Sequence, residues 1–297
     1  MGITLSQSRL QPLQSNSKPM RLDVAACTDN GRIRPTNEDS HHVSPEKKLF
    51  VLSDGMGGAA KGEVASAIAV KVVAAVFEEN EEKGGRAMSR ESEANPEFSD
   101  ETNSLVCAVR LANRQILEEG QRDPASTGMG ATIVAARISG SLLSLAHVGD
   151  SRAYLFRART LQQLTSDHSL VAEQIRQGLM THQQAAASEL QSVLTRALGM
   201  EESVEVDADE IELFPGDSLL LCSDGLTRMV PEDEIAGILA RTPNVRIAAE
   251  RLVRRANEYG GHDNVTVVVI RITKPKGWLA KFFPGVARIL FEPLRGE

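Results

Sequence analysis

The chain has 297 residues, 41% hydrophobic and 25% charged, enough apolar material for a buried core in one large domain or two small ones. Its 33 basic and 40 acidic residues leave a net charge of −7, the wrong sign for a surface that tracks a phosphate backbone, so nucleic acid is excluded as a general partner. No apolar run reaches the roughly 18 residues of a transmembrane segment, and residues 1–20 lack the apolar centre of a secretory leader. Three scattered cysteines, Cys27, Cys107 and Cys222, fit neither a disulfide framework nor a zinc motif. They read as buried, reduced thiols of a cytoplasmic protein.

Residues 1–20, rich in Ser, Gln and Pro, read as a flexible tail, and the domain is expected over 21–273. Leu49–Leu52 is the first apolar strand candidate. Val64, Ile68, Val72 and Val76 recur every fourth position, which predicts an amphipathic helix over 62–80. The acidic stretch 81–100, with Gly84, Gly85 and Pro96, reads as a solvated loop. Leu105, Val109, Ala112 and Ile116 predict a second helix.

Strands are then expected at Thr132–Ile138, Leu142–Val148, Ala153–Phe156, Ser218–Cys222 and Val265–Ile272. Only Ser139, Gly140 and Ser141 separate the first two, which is hairpin spacing and leaves no room for a helical crossover. From His168 to Gly199 the pattern turns helical and polar. The expected class is α+β, with largely antiparallel sheets covered by helices. Residues 274–297 carry five basic and two acidic residues, Trp278, Phe282, Phe283 and Phe291. This basic, aromatic tail has three readings, packing back on its own domain, docking a partner or meeting an anionic membrane surface, of which the partner site is the working expectation.

One local pattern recurs: an apolar run ends, and a carboxylate follows beside glycine or a small polar residue. It occurs at Asp54-Gly55, Gly149-Asp150 and Asp224-Gly225, and in reverse at Asp263-Asn264, which opens the last run. A single such aspartate is ordinarily a turn residue bonding its own backbone. Four with the same placement suggest a shared cleft, where they would repel one another unless cations lay between them. All-oxygen ligands suit magnesium or manganese rather than zinc. Gly55-Met-Gly-Gly-Ala-Ala60 also fits a dinucleotide fingerprint, but Asp54 would lie beside the pyrophosphate and the downstream hairpins break a βαβ series. Lys61-Gly62 does not satisfy a P-loop.

The stretch from Thr28 through Arg34 to Ser40 carries Asn37, Glu38 and Asp39. It is followed by Asp54-Gly-Met-Gly-Gly58, Gly128-Met-Gly-Ala-Thr132, Gly149-Asp-Ser-Arg152, Leu164-Thr-Ser-Asp-His168, Leu194-Thr-Arg-Ala-Leu-Gly199, Ser223-Asp-Gly225 and Asp263-Asn264. In order and spacing, from about Val24 to Ile272, this set resembles the PP2C (PPM) family of metal-dependent protein serine/threonine phosphatases in its bacterial form. The resemblance implies a central β-sandwich of two antiparallel sheets flanked by helices, with a helical flap beside the active site. It implies two manganese or magnesium ions: Asp54 bridging both, the Gly55 carbonyl and a water held by Glu38 serving one, Asp224 and Asp263 the other. Asp150, with Asp224, matches the place of a third, looser ion. Arg34 matches the arginine that holds the substrate phosphate.

The implied reaction is hydrolysis of phosphoserine and phosphothreonine by a metal-bridging hydroxide attacking phosphorus in line. Arg34 would supply a planar donor fork to two phosphoryl oxygens. The implied partners are phosphoproteins and an opposing bacterial serine/threonine kinase. Two departures stand out. Met56 takes the place of a histidine proposed elsewhere in the family as the acid for the leaving alkoxide, leaving His168 and His262 as candidates beside water. Before Leu194, the usual His-Pro and Arg-Asn are replaced by Ser188-Glu189 and Gln191-Ser192, which bears on substrate choice. The alternatives are an inactive relative serving as a binding module, against which Asp54, Asp224, Asp263 and Arg34 speak, and a phosphatase of small molecules.

Overall fold

The computed structural model describes residues 20–57, 61–82 and 94–274. Strands β1 (Arg21–Asp29), β2 (Asp39–Ser44) and β3 (Leu49–Met56) lead into helices α1 (Gly62–Glu82) and α2 (Asp100–Arg122). Strands β4 (Gly130–Ala131), β5 (Ile133–Ser139), β6 (Leu142–Val148), β7 (Arg152–Arg157) and β8 (Thr160–Gln163) follow, then the short helices α3 (Leu170–Arg176) and α4 (His182–Ala186). Strands β9 (Asp207–Glu212) and β10 (Ser218–Cys222), helices α5 (Asp224–Thr227), α6 (Glu232–Arg241) and α7 (Val245–Glu258), and strand β11 (Val265–Thr273) complete the order.

Two sheets result, β1-β11-β10-β7-β8 and β2-β3-β5-β6-β9, with β4 added to β3. Among the described residues every ladder is antiparallel. The expected hairpin forms with Ser139 opposite Leu142, and Gly140 takes the positive φ of 59° that its turn demands.

The sheets stack face to face, and helices cover both outer faces. In β3, Phe50 and Leu52 point between the sheets with Val134, Leu219, Leu221 and Val268, while Leu49 and Val51 point outward under α1 and α2. Burial on both faces is why this strand reads as a continuous apolar run rather than an alternation. Phe50 is fully buried, and truncating it to alanine would cost roughly 3–5 kcal/mol. On the far side, Ala248, Leu252 and Ala256 of α7 seat against Leu220, Val267 and Val269.

The α+β class and the antiparallel sandwich match expectation. Eight elements do not appear in the sequence reading: β1, β2, β4, β8, β9, α5, α6 and α7. Strand β9, Asp-Ala-Asp-Glu-Ile-Glu, opposes strand propensity and exists because β6 offers it an edge; its charges then blunt that edge. Residues 168–199 form two short helices and a run of turns. The cysteines make no disulfide, but only Cys222 is buried; Cys27 and Cys107 are partly exposed, because the helix and edge strand that carry them lie at the periphery. Residues 1–19 and the tail with Trp278, Phe282, Phe283 and Phe291 lie outside the described residues.

Candidate active site

At one end of the sandwich the tips of β3, β10 and β11 meet the loops after β1 and β6. Arg34, Glu38, Asp54, Gly55, Asp150, Asp224 and Asp263 all line one cavity of about 190 Å³ there. The sequence carries them on distant segments, and the sheet order brings them together.

Local packing fixes each group. The Asp54 N–H donates to Thr132 Oγ1 (3.0 Å), and the Thr132 N–H donates to the Asp54 carbonyl (2.8 Å). Gly55 passes so close to the start of α1 that a Cβ on it would lie 2.0 Å from the Gly62 carbonyl oxygen. A Cβ on Gly62 would in turn meet Glu38 Oε2 at 2.4 Å, so Gly55, Gly62 and Glu38 pack as one unit. Gly225 is as constrained: its Cβ would fall 1.9 Å from the Asn264 carbonyl oxygen, which is how Asp224 comes to stand beside Asp263.

Asn264 holds the loop that carries Arg34 and Glu38. Its Oδ1 accepts from the Glu38 N–H at 2.8 Å, and its Nδ2 donates to the carbonyls of Asn30 (3.0 Å) and Thr36 (2.8 Å). Arg34 Nη2 lies 2.8 Å from Asp263 Oδ2, with half of the arginine side chain exposed.

Two neighbours at this site were not assigned roles from sequence. Asp39 faces Asp54 across the β2–β3 ladder and accepts a 2.8 Å bond from Ser223 Oγ. Its signal was present in the Asn37-Glu38-Asp39 motif, but only the ladder register reveals what it faces. Arg228 follows Asp224 by four residues and reaches back to it, Nη2 to Oδ2 at 2.5 Å; the (i, i+4) spacing was the available clue.

The electrostatics are those of crowded anions. Burial pushes Asp39 up to about 7, with Asp224 and Asp263 adding to the rise, against bonds from Thr266 and Ser223. Burial, then Asp224, pushes Asp150 up to about 7 as well. Asp54, partly buried, is held well above the usual carboxylate range by desolvation and by Asp39, Asp224, Asp150 and Asp263. Burial raises Asp224 too, with Arg228 opposing. Groups so placed require protons or cations beside them.

Divalent ions fit this donor set. Asp39 Oδ1 and Asp224 Oδ1 are buried without a hydrogen-bond partner, a cost an enclosed polar atom does not ordinarily bear. The lining offers carboxylates and a carbonyl and, among the described residues, no His or Cys, which is oxygen chemistry for magnesium or manganese.

Neither histidine expected as an acid candidate lines the cleft; Met56 does. His262 is exposed. His168 is buried, and its Nδ1 accepts from the Gly149 N–H at 3.1 Å. Its Nε2 lies 3.3 Å from Asp207 Oδ2 and 3.1 Å from Arg196 Nη1. His147, His168 and Asp207 cluster as metal ligands would, but the His147 Nε2 is engaged by the Ser166 carbonyl and Arg196 already neutralises Asp207 at 2.6 Å. The group works as a brace beneath Gly149-Asp150.

Comparison with known proteins agrees with this geometry. Residues 33–261 match the Protein phosphatase 2C family. The serine/threonine phosphatase stp of Listeria welshimeri is 39% identical over 246 residues, 82% of this chain and 93% of that one. The crystal structure of the Mycobacterium tuberculosis serine/threonine phosphatase PstP/Ppp superposes with a TM-score of 0.74 at 36% identity, covering 85% of this chain and 99% of that one. The catalytic domain of PstP in complex with 2 manganese ions gives a TM-score of 0.72 at 35% identity, over 86% of this chain and all of that one.

Proposed function

The chain belongs to the Protein phosphatase 2C family and is a metal-dependent serine/threonine phosphatase, and from that premise we propose which of its residues carry the reaction. Asp54, Asp224 and Asp263, with the Gly55 carbonyl and a water held by Glu38, would hold two divalent cations, Asp54 contributing to both, Gly55 and Glu38 to one, and Asp224 and Asp263 to the other. Asp150 and Asp224 form a further, outer cation place. The observation that carries this reading is the convergence of these groups from five separate segments on one cleft, at which the buried Asp224 Oδ1 and the neighbouring Asp39 Oδ1 lack hydrogen-bond partners.

Magnesium or manganese bound there would supply an activated water for in-line attack and offset charge on the phosphoryl oxygens. Arg34 binds and orients the phosphate. Its guanidinium is half exposed and held by one carboxylate, so an incoming phosphate exchanges for Asp263 and takes two parallel donors. Asn264 keeps the Arg34 loop in register with the carboxylates. Met56 at the cleft wall has no proton to give, so the leaving alkoxide takes its proton from water.

The substrates are phosphoserine and phosphothreonine proteins, modified by an opposing bacterial kinase, in the cytoplasm. No helix of the described residues is long and apolar enough to cross a membrane. The catalytic unit spans 21–273, and the basic, aromatic stretch 274–297 docks a partner, a reading supported by its composition. Removing 274–297 is then expected to lower partner capture while leaving peptide turnover intact.

The direct test is phosphate release with manganese from a phosphothreonine peptide, a phosphotyrosine peptide and a small phosphate ester. Preference for the phosphothreonine peptide, lost on chelation, supports the reading. Faster turnover of the small ester by kcat/KM would assign the cleft to small molecules, and no release with any metal would leave a binding module.

A further inference from the structure

We propose that Arg228 is the resident cation of the outer place formed by Asp150 and Asp224, so that the chain holds two divalent ions and admits a third only when that guanidinium is removed. The inference rests on the two-ion reading of the cleft given above.

Both carboxylates address a single nitrogen. Arg228 Nη2 is 2.5 Å from Asp224 Oδ2 and 3.3 Å from Asp150 Oδ2. An ion coordinated by the same two oxygens would have to stand where that nitrogen stands. The contact is enclosed: the side chains of Asp150 and Asp224 are 9% and 12% exposed, and that of Arg228 is 23% exposed. Attraction is weakly screened in such a place, and separating the groups would leave two buried charges unpaired.

Two further features fix the guanidinium. Arg228 follows Asp224 by four residues, and its backbone N–H donates to the Asp224 carbonyl at 2.9 Å, so the side chain folds back over its own turn. The same Nη2 also donates to the Gln191 carbonyl at 3.2 Å, tying the segment after α4 to the cleft. Arg152, the other arginine nearby, is committed to Asp167 through two nitrogens at 2.7–3.0 Å and does not compete for Asp150.

A divalent ion entering the outer place would need to displace a guanidinium held by three oxygens, or else bring two positive charges beside a third. At the inner place Asp224 still offers Oδ1, the oxygen that Arg228 leaves unpartnered.

The test counts manganese per chain by equilibrium dialysis with metal analysis, at concentrations up to about 1 mM, the weak end of specific binding. The natural chain is expected to hold two ions, Arg228→Lys two, and Arg228→Gln three. Asp150→Asn in the natural chain is expected to leave the count at two, because Asp150 holds the guanidinium and not a metal. Without metal, Arg228→Gln is expected to melt below the natural chain and to gain more from manganese. Three ions on the natural chain, falling to two in Asp150→Asn, would overturn the proposal while leaving the two-ion reading intact; so would two ions on a folded Arg228→Gln. A natural chain that binds no manganese would overturn the two-ion reading and this proposal with it. Should Arg228→Gln fail to fold, the counts on the natural chain and Asp150→Asn decide.

Discussion

Asp39 lies directly across the β2–β3 ladder from Asp54, two carboxylates in register on neighbouring strands. Like charges so placed ordinarily destabilise a sheet, and here both are half-buried, with desolvation raising Asp39 to about 7 and holding Asp54 well above its usual range. The pair is a stability liability that becomes intelligible where cations bind.

Asp39→Asn should therefore separate stability from metal affinity. Removing one of two facing charges is expected to raise the melting temperature of the metal-free chain at pH 8 by a few degrees, about 1 kcal/mol for a chain of this size. The same change removes an anion behind the ligands and is expected to weaken manganese binding by about tenfold or more. Thermal unfolding with chelator and calorimetric titration with manganese measure the two effects.

The metal-free chain should lose stability as pH rises. Asp39 and Asp150 titrate near 7 in the folded chain against an ordinary value of 3.8. Between those values the folded state keeps protons that the unfolded state has released, so the stabilisation is complete below about pH 4 and declines up to about pH 7. The loss is on the order of a few kcal/mol, and manganese at pH 8 should restore it. Urea unfolding with chelator at pH 5 and pH 8 checks this, and the difference should shrink in Asp39→Asn.

Arg34→Ala is expected to raise KM for a phosphothreonine peptide by tenfold or more, since a charge-assisted donor pair contributes about 1.5–3 kcal/mol. Arg34→Lys should recover only part of it, because an ammonium lacks the planar fork. Melting temperature should barely change, as half of the side chain is exposed. Steady-state kinetics beside a melting curve distinguish a phosphate-binding role from a structural one.

Gly225→Ala is expected to damage the site through the backbone. The added methyl would meet the Asn264 carbonyl oxygen at 1.9 Å, which forces Ser223-Asp224 away from Asp263-Asn264. A destabilisation of about 2 kcal/mol or more should accompany loss of manganese binding, followed by chemical denaturation and metal titration. Gly225 has no positive φ, so the effect reports the close contact with Asn264 and not backbone strain.

What the sequence disclosed follows from the range of the interactions involved. Asp54, Asp150, Asp224 and Asp263 are legible because each is marked locally by an apolar run and a small neighbour. Phe50 and Leu49 announce a strand because both faces are covered. Asp39 stayed unassigned because its partner is set by ladder register across a polar strand, β2, that has no apolar alternation to reveal it. Arg228 stayed unassigned because an arginine four residues past an aspartate is common, and only the fold shows that Asp150 arrives on the same nitrogen. Helix α7 was hidden because its buried face is largely alanine, which carries little apolar contrast, and β9 because it borrows its conformation from β6.

The central claim, that Asp54 and its neighbours hold the ions on which hydrolysis depends, is tested most directly by comparing the natural chain with Asp54→Asn. Manganese bound per chain and phosphate released from a phosphothreonine peptide would be measured on the same preparations. The account predicts that the folded variant binds fewer ions and releases phosphate at least a thousandfold more slowly, a loss of about 4 kcal/mol in transition-state stabilisation. Release at the natural rate, or full metal binding by Asp54→Asn, would contradict it.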